Sequence, residues 1–447
     1  MCKCFQYSVF SGRMTPCMAL NELILPEGSP ASAFLVGWTL PGENSAWTIE
    51  DSLDELSELA RTDGLVETGR AYQRLSAVNP AMLLGHGKLD EIRQQAASCS
   101  AGTVIFDGEL EPSQQKNLEN FFGDNFQVLD RTALILDIFA RHARTREGQL
   151  QVQLAQYQYR LPRLTRMWTH LARQAGGRRG GVGLRGPGET QLEIDRRRIR
   201  TKIAHLKKEI AQVSLHREQQ REKRRRNNIP VIAIVGYTNA GKSTLLNRLS
   251  DAGVLAENRL FSTLDPTTRR VKLPSGRMVL FSDTVGLIKK LPHDLVAAFR
   301  ATFEEIREAD LVLHCADVMH PQAHIQREIV EKELDSSFEG HRRVMLVWNK
   351  ADALCENARS TIHPVDGQFL VSAKTGEGIP GLLAGIESAL SDIQVPVELL
   401  IPYDQGALLS ALYTTGTIGK ISEEENGTRV SGFVPQDLLE RIGKYRV

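Results

Sequence analysis

Between Val231 and Thr244 the chain reads VIAIVGYTNAGKST: a run rich in β-branched residues, then Gly236, four residues, Gly241-Lys242-Ser243, then the helical pattern TLLNRL. A glycine-bearing turn between a buried strand and a helix leaves backbone N–H groups to wrap an oxyanion, and the helix start adds its own positive end. Gly236, Tyr237, Thr238, Asn239, Ala240, Gly241, Lys242, Ser243 and Thr244 therefore read as a phosphate-binding loop. In such a loop Lys242 neutralises β and γ phosphate oxygens, and the Ser243 hydroxyl ligates Mg²⁺.

The base is selected further along. VMLVWNKAD (344–352) ends in Asn349, Lys350, Ala351 and Asp352. The Asp352 carboxylate can accept from guanine N1–H and the 2-amino group, neither of which adenine offers, so GTP is favoured over ATP. Ser372, Ala373 and Lys374 follow the apolar Phe369-Leu370 and supply a backbone contact to the guanine oxygen.

Two segments between these motifs are placed to sense the γ-phosphate. FSTLDPTTRR (261–270) reads as a polar loop, with Phe261, Ser262, Thr263, Leu264 and Asp265 near the nucleotide. Thr263 is the candidate for a second Mg²⁺ hydroxyl, with Thr267 and Thr268 as rivals. MVLFSDTVG (278–286) reads as a strand ending in Asp283, Thr284, Val285 and Gly286. Asp283 is expected to hold Mg²⁺ through water, and the Gly286 N–H to meet the γ-phosphate. Lys242, Thr263 and Gly286 are thus the catalytic candidates. Leu287 stands where Ras-like enzymes carry a water-orienting glutamine, and leucine cannot do that work. A slow intrinsic rate, at or below about 10⁻³ s⁻¹, is the expectation.

These motifs need a parallel α/β scaffold, and the surrounding chain has more than one. At 447 residues it is about three domains long, and its 41% hydrophobic and 24% charged residues exclude disorder throughout. Strand patterns at Ser32–Leu40, Thr103–Gly108 and Gln127–Asp130 alternate with helix patterns at Ser52–Arg61, Lys88–Ala97 and Pro112–Phe122, which argues for a small α/β domain. Gly85-His86-Gly87-Lys88 is a glycine turn feeding a helix, more readily structural than phosphate-binding. Next come two helical stripes, Leu150, Leu154, Tyr157 and Leu161, then Leu192, Ile199, Ile203, Leu206, Ile210 and Val213, suited to an antiparallel hairpin. If continuous from about Thr190 to Arg226, the second helix is on the order of 55 Å long. VPVELLIPY (395–403), an Asn426-Gly427 turn signal and a final helix suggest a small α+β unit at the end. The expected divisions are a flexible 1–22, an α/β domain 23–146, a basic hairpin 147–228, a nucleotide domain 229–394 and an α+β domain 395–447.

Charge is segregated along the chain. Arg141 to Arg226 holds 23 Lys or Arg against 7 Asp or Glu, a net of +16 inside a chain whose total is +1. Such a block creates a field for a polyanion. Inside it, GGRRGGVGLRGPGE (176–189) has seven glycines with Arg178, Arg179 and Arg185. Helix turns need only about two to eight residues, so this length and these arginines point to RNA at the hairpin tip. Arg196, Arg197 and Arg198 extend the candidate RNA surface. The six cysteines lack paired spacings and read as reduced thiols, and no apolar run is long enough for a membrane span. A soluble, cytoplasmic monomer without an integral membrane segment is expected.

The sequence resembles the HflX GTPases of the Obg-HflX group. The resemblance rests on GYTNAGKST (236–244), FSTLDPTTR (261–269), DTVGLI (283–288), NKAD (349–352), SAK (372–374) and GGRRGGVGLRGPGETQLEIDRRRIR (176–200), with GHGKLDEI (85–92), and covers about Leu23 to the end. It implies a Ras-like P-loop GTPase domain preceded by a small α/β domain and a long antiparallel helical hairpin, with a small α+β C-terminal domain. It also implies a Mg²⁺-dependent GTPase, with Ser243 and Thr263 as metal ligands, that binds the large ribosomal subunit and its rRNA and splits stalled ribosomes under stress. His86 departs from the small residue usual at its position, so no N-terminal nucleotide site is carried over. The alternative is a GTPase-gated RNA-remodelling or RNA-modification factor, yet His86, Asp107, Glu109 and Asp130 form no recognisable catalytic spacing.

Overall fold

A computed structural model describes residues 32–41, 47–164, 187–226, 229–250, 260–261, 267–289, 305–337, 343–355, 359, 367–391, 394–406, 408–409, 412, 417–424, 426–435 and 442–446. In the N-terminal part β1 (Ser32–Thr39), β2 (Val66–Arg74), β3 (Thr103–Phe106) and β4 (Gln127–Asp130) form a parallel sheet of order β2-β1-β3-β4. Helices α1 (Ile49–Thr62), α2 (His86–Ser98) and α3 (Pro112–Phe122) make the crossovers, and α4 (Arg131–His142) follows β4. β2 is the strand that periodicity missed: VETGRAYQR is polar because it lies at the sheet edge, mostly half-buried or exposed. α1 starts earlier than the pattern suggests because Thr48 and Asp51 close a capping box, each side chain bonding the other's backbone N–H.

α5 (Arg146–Arg163) and α6 (Pro187–Arg226) form the hairpin. The expected stripes meet from Ile199 onward, the Leu192 side chain lying outside the described residues: Leu150, Tyr157, Ile199 and Leu206 are buried together, flanked by Leu154, Leu161, Ile203, Ile210 and Val213. Arg146–Glu209 at 2.6 Å and Glu147–Arg217 at 2.7 Å put the start of α5 beside the second half of α6, which makes the pair antiparallel. α6 has 40 residues, about 60 Å of helix, and begins at Pro187, so Pro187–Glu189 are helical where a loop was expected.

The nucleotide part is a six-stranded sheet of order β10-β9-β8-β5-β7-β6, built from β5 (Val231–Gly236), β6 (Thr267–Lys272), β7 (Met278–Asp283), β8 (Leu311–Asp317), β9 (Val344–Asn349) and β10 (Gln368–Leu370). Only β6 runs antiparallel to its neighbour. Helices α7 (Lys242–Ser250), α8 (Ala323–Ser337) and α9 (Ile379–Ser391) belong to this part. The polar stretch 261–270 is thus not all loop: its last four residues open β6, a charged edge strand whose Arg269 and Arg270 suit an unpaired border. Finally, β11 (Gln394–Ile401), β12 (Thr417–Glu424) and β13 (Gly427–Pro435) make an antiparallel sheet, with the Asn426-Gly427 turn joining β12 to β13.

Strand alternation divides the cores. Ala233 and Val235 of β5 face one cluster and Ile232 and Ile234 the opposite one. The first cluster also contains Leu35, Leu53, Leu56, Ile138, Phe139 and Val152, so the N-terminal and nucleotide parts share one continuous apolar core. Phe139 meets Phe261 edge-on at 4.8 Å within it.

Candidate functional site

The central strand β5 ends where its neighbours β7 and β8 lie on opposite sides, the position at which α/β sheets open a ligand crevice. The chain turns there through Asn239 at φ 61° and Gly241 at φ 89° into α7. A Cβ on Gly241 would lie 2.3 Å from Asn349 Nδ2, so only glycine fits. Lys242 is buried, and its ammonium donates to the Tyr237 carbonyl at 2.8 Å. Burial lowers its pKa while the nearby Asp283 opposes that shift. A desolvated cation at a helix start attracts phosphate strongly. Thr238 Oγ1 is enclosed in the same loop without a hydrogen-bond partner among the described residues.

Ser243 Oγ donates to Asp283 Oδ2 at 2.7 Å, so β5–α7 and β7 bring the two expected Mg²⁺-linked oxygens together. Both are hard oxygen donors, and Asp283 is buried, which fits a small divalent cation. Thr263, Ser262, Leu264 and Asp265 lie outside the described residues. The rivals Thr267 and Thr268 are in β6, paired with Asp283 and Ser282. Thr284 donates to the Ile234 carbonyl at 2.7 Å and Val285 is buried, which fixes the approach to Gly286. A Cβ on Gly286 would stand 2.9 Å from Thr238 Cα and 3.0 Å from Lys242 Nζ, so this backbone presses against the phosphate-binding loop.

Leu287 is placed by that loop as well. Its N–H donates to the Gly236 carbonyl at 3.1 Å, and its carbonyl accepts from Thr238 N–H at 2.9 Å. Its side chain is buried in the shared apolar core, where no water could be oriented by it.

The residues expected to hold guanine converge from three segments. Asn349 at the end of β9 donates through Nδ2 to the Ala240 carbonyl at 2.9 Å and accepts through Oδ1 from the Ala373 N–H at 3.0 Å. Lys350, at φ 67°, pairs with Asp317 at 2.7 Å, and Ala351 N–H donates to the Val371 carbonyl. Asp352 is exposed and accepts from Ser372 Oγ at 2.6 Å, a bond that lowers its pKa and keeps it an acceptor. Lys374 is exposed beside it.

Three contributors were invisible in the motifs. Arg248 on α7 donates through Nε to the Ala373 carbonyl at 3.0 Å and through Nη2 to the Lys374 carbonyl, buttressing the Ser372–Lys374 loop from behind. Its place in TLLNRL, six residues after Lys242, was the only available signal. The Cys315 thiol donates to the Ala240 carbonyl at 3.3 Å, with burial raising its pKa to about 12. Glu55, 182 residues before Tyr237, bonds that tyrosine's hydroxyl, and no local pattern announces it.

Of the RNA candidates, Arg197 and Arg198 are exposed on α6 and Arg196 is half-buried, while Arg178, Arg179 and Arg185 lie outside the described residues. Arg200, Lys202, Lys207 and Lys208 extend the exposed positive surface. Among the described residues no helix is long and apolar enough to cross a membrane, and no cluster of three metal-ligating side chains occurs.

The N-terminal acids have other tasks. Asp107 accepts from Ser52 and Arg131, and Asp130 caps α4 through the Ala133 N–H while also accepting from Leu110 N–H and the Tyr159 hydroxyl. His86 stacks edge-on with Phe121, and Lys88 pairs with Glu91.

Four family models match the chain: GTP-binding GTPase N-terminal over residues 50–140, GTP-binding GTPase Middle Region over 142–224, 50S ribosome-binding GTPase over 231–350, and HflX C-terminal domain over 358–433. The chain is 43% identical over 423 residues to a GTPase HflX of Lacrimispora saccharolytica, covering 95% of this chain and 98% of that protein. It is 41% identical over 382 residues to the GTPase HflX of Escherichia coli K12, covering 85% and 88%. Among solved structures, a GTP-binding protein from Sulfolobus solfataricus in complex with GDP aligns at 20% identity and TM-score 0.42, covering 81% of this chain and 99% of that one.

Proposed function

The chain belongs to the HflX family of GTPases, and from that premise we propose that it is a GTP-controlled factor that grips the large ribosomal subunit through rRNA and separates or rescues stalled ribosomes. It is a GTP-hydrolysing enzyme. The observation that carries the ribosome reading is the set of exposed basic residues Arg197, Arg198, Arg200, Lys202, Lys207 and Lys208 on a helix whose Arg217 reaches back to Glu305 of the nucleotide part at 3.9 Å. A polyanion held by that helix is mechanically joined to the nucleotide site. The matched description of a 50S ribosome-binding GTPase over 231–350 supports the same partner.

In this reading Asn349, Asp352 and the Ser372–Lys374 loop hold guanine, and Lys242 and the Gly286 N–H hold the γ-phosphate. Ser243 and Thr263 would ligate Mg²⁺, with Asp283 acting through water. The metal, when bound, screens the phosphate charge that develops during transfer. The occupied acids of the N-terminal part give no support to a separate RNA-modifying centre. We place the functional divisions at 22, 146, 228 and 394.

The test is GTP hydrolysis by the full chain with and without isolated large subunits, beside a variant lacking residues 176–188. The expected basal rate is about 10⁻³ s⁻¹ or lower, rising strongly with subunits and returning to basal in the deletion. Fast basal turnover, or neither stimulation nor co-sedimentation, would falsify the ribosome reading.

A further inference from the structure

Tyr237 follows Gly236 in the phosphate-binding loop, yet its side chain leaves that loop and joins two other segments. Its hydroxyl donates to Glu55 Oε1 of α1 at 2.5 Å and accepts from the Lys289 backbone N–H at 2.8 Å. Glu55 is held in turn by Arg131 at the start of α4. Arg131 also binds Asp107 at 2.7 Å, and Asp107 accepts from Ser52 Oγ at 2.6 Å. The Arg131 side chain is 1% exposed and that of Glu55 9%, so this chain of groups is shielded from water. Burial and the Glu55 carboxylate both push the Tyr237 phenol well above its ordinary range. A phenol that stays protonated donates its one proton to Glu55 and keeps an oxygen lone pair for Lys289.

The same tyrosine governs the site through its backbone. Its carbonyl accepts from Lys242, and it forms a parallel bridge with Leu287. Residues 287–289 follow directly after Gly286. Main-chain bonds from Gly236 and Thr238 fix one end of this segment, and the Tyr237 hydroxyl fixes the other. The Trp47 ring closes the joint, 6.1 Å from Tyr237 and under Lys289 Nζ at 5.2 Å.

We propose that Tyr237 and Glu55 are positioning residues for GTP hydrolysis: the N-terminal domain, through the Glu55 carboxylate on the Tyr237 hydroxyl, sets residues 286–289 so that the Gly286 N–H meets the γ-phosphate. The inference rests on the proposed role of Gly286. Because GDP has no γ-phosphate, the link acts on hydrolysis and on binding of a GTP analogue, and leaves GDP binding alone. A purely structural role would weaken all three together.

The experiment uses the full chain with Tyr237→Phe, Glu55→Gln, both together, and Gly286→Ala as comparator. It measures single-turnover hydrolysis of GTP and the affinities for GDP and GTPγS. Each single variant is expected to slow hydrolysis about tenfold, the worth of one well-placed hydrogen bond, and to lower the GTPγS-to-GDP affinity ratio while GDP affinity stays within about twofold. The double variant should lose no more than either single one, because both break one link. Tyr237→Phe leaves the Arg131 ion pairs in place and decides the matter alone if Glu55→Gln fails to fold. Equal losses of GDP and GTPγS binding, faster hydrolysis, or additive losses in the double variant overturn the proposal. If Gly286→Ala alone slows hydrolysis, the role of Gly286 stands and this link is wrong; if Gly286→Ala is harmless, both fall.

Discussion

Two sheets in this molecule, one parallel and one mixed, each lead from a strand into a helix that starts with a charged residue, and only one of these helix starts is built for a ligand. At the end of β4 in the N-terminal part, Asp130 receives three donors at 2.7 to 3.0 Å, and the adjacent Arg131 is locked between Asp107 and Glu55. Beyond the end of β5 in the nucleotide part, Lys242 has the Tyr237 carbonyl and Ser243 and Asp283 face each other, while after β9 Asp352 is exposed. The first set is electrically closed and its partners come from within the fold. The second offers a desolvated cation beside a glycine turn at a helix start, an arrangement completed by an anion. The lesson is that a charged strand end signals a site only when its neighbours leave its bonding capacity directed outward.

The largest test of the comparison is Arg131→Met. It strands Asp107 and Glu55 as buried carboxylates and should cost about 3–5 kcal/mol of stability, read by denaturant unfolding. Lys242→Ala should do the reverse, lowering GTP hydrolysis about 10²- to 10³-fold while the unfolding midpoint moves little. If Lys242→Ala destabilised the protein as much as Arg131→Met, the contrast between closed and open ends would collapse. Asp352→Asn should reduce the preference for GTP over XTP about 10- to 100-fold, measured by competition binding, since an amide no longer accepts two guanine donors. An unchanged preference would remove Asp352 from the guanine site.

A last test separates the regions by pH. Burial raises the Asp63 carboxyl in the N-terminal part to about 7, against the pull of Arg141. The folded form therefore binds a proton more readily than the unfolded chain between about pH 4 and 7, and this part loses stability as pH rises through that window. Burial lowers His314 on β8 to about 4, with Arg327 and Lys242 reinforcing it. Here the unfolded chain takes up the proton below about pH 6.5, so the nucleotide part loses stability as pH falls towards 4. Hydrogen exchange followed across pH should show opposite slopes in the two sheets, flattened separately by Asp63→Asn and His314→Leu. Parallel slopes would show that neither group governs its region.

The sequence by itself determined the phosphate-binding loop, the NKAD and SAK segments, both stripes of the hairpin and most N-terminal elements, because each is written in local spacing or in a period of two or 3.6 residues. Gly236 to Ser243, and Leu150 with Tyr157 against Ile199 with Leu206, are of this kind. β2 and β6 escaped because edge strands carry polar residues and lack the buried alternation. Only the tertiary structure decided that Arg248 braces the Ser372–Lys374 loop, that Leu287 is buried in a core shared with the N-terminal part, and that Glu55 reaches Tyr237 across 182 positions. Those contacts depend on how two sheets are set against one another. Short-range spacing carries no record of that, because a hydrogen bond between distant residues is fixed by packing and not by the pattern on either side of them.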